Sequence, residues 1–173
     1  MSGVYVGIDN GVTGSLALLN GRVQFRMIPT RTEQSYTKKK QQITRVLIPE
    51  LINILNTWVN TEWVYAPDVG HNFRVFIERP FVNPHGFKAT ASALRALEAT
   101  LIAVEQIGLS YQYVDSREWQ KVMLPAGIKG TPDLKRASVD IGCRLFPQYA
   151  DSIRKHKDAD SLLIAEWARR KGL

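Results

Sequence analysis

The chain has 173 residues, 45% of them hydrophobic and 23% charged, which supports a packed core and argues against disorder over most of its length. Lysines and arginines number 23 against 16 aspartates and glutamates, a net charge of +7 with a pI near 9.7, so the choice is between a polyanionic partner and a basic surface kept for solubility. Cys143 is the only cysteine, which excludes an internal disulfide and a cysteine-based zinc site and fits a reducing cytoplasm; no run reaches the ~18 apolar residues of a membrane span.

The length suggests one domain, residues 1–173. The opening, MSGVYVGIDNG, has no basic leader pattern and moves directly into an apolar, partly β-branched strand at Val4–Ile8. Ser15–Leu19 and Arg22–Ile28 read as a hairpin across Asn20-Gly21, a two-residue turn signal. Polar Thr30–Lys40, ending in three lysines, reads as a loop. Gln41–Val59 carries apolar residues at helical spacing, with Pro49 expected to kink or split the helix. Glu62–Asn72 reads as irregular and Phe73–Glu78 as a second buried strand. A helix over Thr90–Gln106 ends at Gly108, and Ser110–Val114 is a short strand. Asp115–Met123 is a short helix with Asp115 or Ser116 as N-cap, and Pro125–Gly130 is a loop. Helices over Asp133–Phe146 and Asp160–Lys171 complete the chain. A three-stranded meander followed by strand–helix units predicts a three-layer α/β domain.

Acids stand where apolar elements begin or end. Asp9 follows VYVGI, Glu78 closes FRVFIE, and Asp158 and Asp160 lie at the start of the last helix. A turn acid, a strand-end ion pair or an N-cap accounts for each one singly. Brought together, such carboxylates repel, and only Arg, Lys or a metal ion can offset them. Oxygen ligands without His or Cys form the hard set that suits Mg²⁺, the ion of two-metal phosphodiester cleavage.

GIDNGVTGSLALL resembles the opening of the RuvC-like Holliday junction resolvases, where the Asp of Gly-Ile-Asp-x-Gly binds metal. VFIERPF is similar to the second motif of that family, a strand ending in Glu with an aromatic three residues on, matched by Glu78 and Phe81; KATASALRALEATLIAV resembles the helix that follows it. ADSLLIAEWA resembles the last motif. The resemblance implies a ribonuclease H-like fold, a five-stranded mixed sheet flanked by helices. It implies a crossover junction endodeoxyribonuclease that depends on Mg²⁺ or Mn²⁺, acts on four-way junctions as a homodimer, and uses Asp9, Glu78, Asp158 and Asp160 as catalytic metal ligands. The short chain is closer to phage-encoded relatives, which would work in the cytoplasm of a bacterial host. The family draws two acids from its last motif at i and i+3; here Lys157 stands three before Asp160, and Asp158 only two before it. On one continuous helix that spacing turns about 200°, so Asp158 must lie in the loop or at the N-cap to reach a shared ion.

Lys121, Lys129, Lys135, Arg136, Arg154, Lys155 and Lys157, with Lys38–Lys40, are candidate phosphate contacts. Phe81, between Pro80 and Pro84, could stack on an unpaired base, with Phe87 as a second choice, and His156 is a candidate general base or phosphate contact. The small residues Ala89, Ala91, Ala93, Ala96 and Ala99 give a smooth helix face for the core or a second subunit. Three alternatives stay open. One is a sugar-kinase- or actin-like nucleotide domain cradling phosphate at Gly11, Thr13 and Gly14. The others are a non-catalytic branched-DNA-binding module and another ribonuclease H-like nuclease.

Overall fold

Val4, Val6 and Ile8 of β1 (Val4–Ile8) point to one side and Tyr5 and Gly7 to the other, and both sides are covered by helices. A computed structural model describes residues 3–36, 38, 41–65 and 72–173, with side chains described throughout except at 63–65. β2 (Ser15–Leu19) and β3 (Val23–Met27) follow as an antiparallel meander. Leu19 pairs with Val23, so the turn holds residues 20–22, one more than Asn20-Gly21 alone predicts; Gly21 takes the left-handed conformation there, at φ 85°.

Thr30–Lys40 is not a simple loop, and the helix does not begin at Gln41. β4 (Thr30–Gln34) and β5 (Gln42–Val46) form a separate antiparallel ribbon in which Arg31 and Arg45 grip Glu33 at 3.0 and 2.8 Å. The cross-strand pairs Thr30–Val46 and Thr32–Thr44 suit a pleated surface, and that local pairing overrides a helical period shared by Ile43, Val46 and the helix proper. α1 (Ile48–Tyr65) opens with Pro49 in its first turn, where a missing N–H costs nothing, so the proline starts the helix without kinking it. The helix also takes in Glu62–Tyr65, expected to be irregular, while residues 66–71 of that stretch lie outside the described residues.

β6 (Phe73–Glu78) runs parallel to β1, and α2 (Phe87–Gln106) begins three residues before its predicted start. β7 (Tyr111–Val114) extends the sheet parallel to β6, giving the order β3-β2-β1-β6-β7. α3 (Ser116–Met123) is capped by Asp115, which accepts the Arg117 N–H at 2.9 Å. α4 (Thr131–Leu145) and a single 3-10 turn at Pro147–Tyr149 precede α5 (Ala150–His156), a helix the apolar pattern does not announce, and α6 (Asp160–Lys171) closes the chain.

Leu51, Leu55 and Trp58 of α1 and Ala103 and Val104 of α2 cover one sheet face. Trp119 of α3 and Leu162, Leu163, Ile164 and Trp167 of α6 cover the other. Each fully buried aliphatic side chain here contributes about 2 kcal/mol. The closest approach is α6 on β1: a Cβ at Gly7 would lie 2.1 Å from the Ser161 carbonyl oxygen and 2.8 Å from the Ala165 nitrogen. Only glycine admits that contact, and it brings the start of α6 against the end of β1. Among the described residues no helix is long and apolar enough to cross a membrane.

Candidate active site

In the parallel register of β1 and β6, Ile8 lies opposite Ile77, so Asp9 and Glu78 are the next positions on adjacent strands, which run about 4.8 Å apart. The Asp9 N–H is fixed by the Ser15 carbonyl at 3.0 Å. The turn over residues 10–14 folds so tightly beneath Asp9 that a Cβ on Gly14 would sit 2.0 Å from the Asp9 carbonyl oxygen. Gly14 therefore serves the placement of Asp9, which removes the need for the phosphate-cradling explanation of that glycine. Asn10 ties the turn to α2: its Nδ2 donates to the Ala93 carbonyl at 3.4 Å, and its Oδ1 accepts from buried Thr100 at 3.1 Å.

Two further acids arrive from the α5–α6 connection. Lys157 ends α5 in the left-handed conformation, at φ 53°, and the Asp158 N–H closes on the Ile153 carbonyl at 3.3 Å. This reversal leaves the Lys157 side chain in solvent and turns Asp158 inward, to 2% exposure. Asp160, 7% exposed, is the first residue of α6, where the helix dipole favours a carboxylate. Asp158 thus precedes the helix, and the conflict of an i, i+2 spacing on one helix does not arise. One oxygen each from Asp9, Asp158 and Asp160 lies within 4.8 Å of the others. Glu78 adjoins them from the neighbouring strand end, and its Oε1 accepts from buried Trp119 Nε1 at 3.1 Å.

A lysine stands among these acids. Lys135 Nζ lies 2.7 Å from Asp160, 3.0 Å from Asp158 and 3.8 Å from Asp9. Burial works against its charge, but the Asp160, Asp9 and Asp158 carboxylates outweigh that and hold the ammonium above its ordinary pKa. One ammonium does not neutralise the cluster. Burial, then repulsion from Asp158, Asp160 and Glu78, pushes the Asp9 carboxyl well above the usual range. Burial first, and the charge of Asp160 after it, raises Glu78; burial also raises Asp160 despite the pull of Lys135. Three buried serines complete the setting. Ser15 donates to Asp158 and accepts from Ser161 at 2.7 Å, while Ser138 donates to Asp160. Hard oxygen donors with an uncompensated negative charge, already gathered around one cation, fit a divalent ion.

The acids expected from the sequence, Asp9, Glu78, Asp158 and Asp160, are all brought together. Lys135, expected among the phosphate contacts, has its ammonium inside the acid cluster. Lys121, Lys129, Lys155 and Lys157 are exposed, and so is Arg136, which pairs with Asp133. Arg154 pairs with Asp151 at 3.4 Å. Lys38 is exposed, while Lys39 and Lys40 lie outside the described residues. His156 is exposed at the end of α5. Phe81, 83% exposed, projects from the loop that leaves Glu78, and Phe87 is 81% exposed at the start of α2. Sequence reasoning missed Trp119 and the three serines. On α4, however, Lys135, Ser138 and Gly142 recur at i, i+3 and i+7, a polar and small stripe on a helix that must face the core.

A five-stranded mixed sheet between helical layers, with carboxylates at the ends of adjacent central strands, defines the ribonuclease H-like fold. Among solved structures, the chain is similar to T. thermophilus RuvC in complex with a Holliday junction substrate, with a TM-score of 0.51 and 16% identity over 98% of this chain and 96% of that one. A second Thermus thermophilus RuvC structure covers the same shares at 17% identity, with a TM-score of 0.44. The chain is RuvC-like in fold. No family model and no curated protein matches the sequence.

Proposed function

We propose that the chain is a metal-dependent endonuclease that cuts branched DNA, four-way junctions foremost, by phosphodiester hydrolysis. The observation that carries this reading is the convergence of Asp9, Asp158 and Asp160 oxygens within 4.8 Å of one another, at a rim shared with Glu78. Mg²⁺, or Mn²⁺ in its place, would be held by Asp9, Glu78, Asp158 and Asp160 and would supply Lewis-acid stabilisation of the charge that builds on the reacting phosphate. The chain's own groups set the geometry. Trp119 orients Glu78, Ser15 and Ser138 fix the Asp158 and Asp160 carboxylates, and Lys135 tempers their repulsion.

Around the site, Lys121, Lys129, Arg136, Lys155 and Lys157 are assigned to phosphates, Phe81 to stacking on an unpaired base, and His156 to proton transfer or phosphate contact. The two-fold symmetry of a four-way junction favours a homodimer of this one nuclease domain, and a phage-encoded enzyme of this kind would act in the cytoplasm of its host. A non-catalytic DNA-binding module is disfavoured, because an uncompensated acid cluster would weaken DNA binding with no return.

The deciding experiment compares a synthetic four-way junction, a flap and a linear duplex with Mg²⁺, using wild type and Asp9→Asn. The expected result is symmetric nicking of the junction by wild type and binding without cutting by the variant. Full activity in the variant would remove Asp9 from the mechanism. Equal cleavage of linear duplex would make the chain an unselective nuclease of the same fold.

A further inference from the structure

The β4–β5 ribbon stands off the main sheet and lays β5 along α2, leaving a groove between them. One end of it, which Val12 of the turn after Asp9 helps to line, encloses about 380 Å³ and also has Tyr36, Phe87, Lys88, Ser92 and Arg95 in its walls. Tyr36 and Phe87 are 82% and 81% exposed, an unusual exposure for two aromatic rings on one groove. Arg95 Nε is buried without a hydrogen-bond partner among the described residues. Among the described residues lining this end, Lys88 and Arg95 carry the charge, Glu98 lies three residues on from Arg95 in the adjoining part of the groove, and Val12 stands three residues after Asp9. The hydrogen bond from Asn10 to the Ala93 carbonyl fastens that turn to α2 between Ser92 and Arg95.

We propose that this groove is a binding site for an unpaired nucleotide of the DNA substrate, its base against Tyr36 and Phe87 and its phosphate towards Lys88 and Arg95. The proposal rests on the branched-DNA reading above and adds to it a site separate from Phe81. Exposed rings beside Lys88 and Arg95 suit a stacked polyanion, because base–aromatic stacking tolerates any sequence and phosphate contact satisfies the guanidinium. The groove also continues towards Val46, Ile48 and Ile102, so a second copy of the chain is the rival occupant.

The test uses the full chain in EDTA, where cutting is suppressed, and two four-way junctions, one fully paired and one with unpaired thymines at the branch. Affinities are read by fluorescence anisotropy, and 5-iodouracil at the unpaired position maps contacts by photo-crosslinking. Wild type should prefer the unpaired junction and crosslink to the peptides carrying Tyr36 or Phe87. The paired change Tyr36→Ala with Phe87→Ala should cost that preference about tenfold, and Arg95→Gln should lower it as well, with circular dichroism unchanged. Crosslinking confined to Phe81, with both variants binding as wild type does, would overturn the proposal and leave the nuclease reading intact. Altered sedimentation with unaltered DNA affinity would assign the groove to a subunit interface. Failure of wild type to favour either junction over linear duplex would overturn the branched-DNA reading and this site together.

Discussion

Replacing Asp9 with asparagine should stabilise the metal-free protein while destroying its response to metal. An Asp9 oxygen lies within 4.8 Å of one on Asp158 and one on Asp160, and 3.8 Å from Lys135 Nζ. At an effective dielectric constant of about 20, each like pair at that separation costs about 3.5 kcal/mol and the attraction to Lys135 offsets about 4.4 kcal/mol. The balance is about 2–3 kcal/mol of destabilisation before Glu78 is counted. Partial protonation limits it, since the Asp9 pKa is raised by burial and by its acidic neighbours. The expected gain for Asp9→Asn is therefore about 1–3 kcal/mol near pH 8, where about 2–4 °C in Tm corresponds to each kcal/mol at this length. A carboxyl with a raised folded pKa contributes its stability below the unfolded pKa and loses it as pH rises through the folded value. The advantage of the variant should accordingly vanish near pH 4, where the wild-type carboxyl is neutral. Thermal melts in EDTA at the two pH values measure this, and melts with excess Mg²⁺ should raise wild type but not the variant. A variant no more stable than wild type near pH 8, or equally advantaged at both pH values, would refute the reasoning.

Other changes probe the shell around the acids. Gly14→Ala forces a methyl against the Asp9 carbonyl and should cost more than about 100-fold in junction cleavage by misplacing that carboxylate, together with the Mg²⁺-induced rise in Tm. Trp119→Phe keeps an aromatic ring in a smaller, fully buried form and leaves Glu78 short of a donor, the lost hydrogen bond alone costing about 1–3 kcal/mol and expected to lower kcat with little change in KM. Lys135→Met removes the cation shared by three carboxylates; its side chain is 45% exposed, so a loss of about 2 kcal/mol in EDTA is expected, with excess Mg²⁺ restoring most of the Tm.

The fold and the acids were legible for the same reason. Each acid marks the point where an apolar run stops or starts, and in a sheet with parallel central strands the ends of neighbouring strands lie side by side. Asp158 required the backbone, because the left-handed turn at Lys157 that aims it inward is unusual for a residue other than glycine and leaves no mark in the sequence. The β4–β5 ribbon was hidden because Ile43 and Val46, three residues apart, fit the helical period that continues into α1, whereas on a strand they face opposite sides. α5 was hidden because it buries only Ile153 among its seven residues. Trp119 is a core residue, and nothing in its sequence neighbours discloses that its N–H serves Glu78. Lys135 reads as a phosphate contact; that it reaches the acids follows from the packing of α4 on α6.

Crystals grown without metal and soaked in Mn²⁺, measured at a wavelength where manganese scatters anomalously, address the central claim directly. The account predicts an anomalous peak bounded by the carboxylates of Asp9, Asp158 and Asp160, with the Lys135 ammonium displaced from its present contacts. Fully soaked crystals with no peak there, and Lys135 still bonded to Asp158 and Asp160, would contradict it.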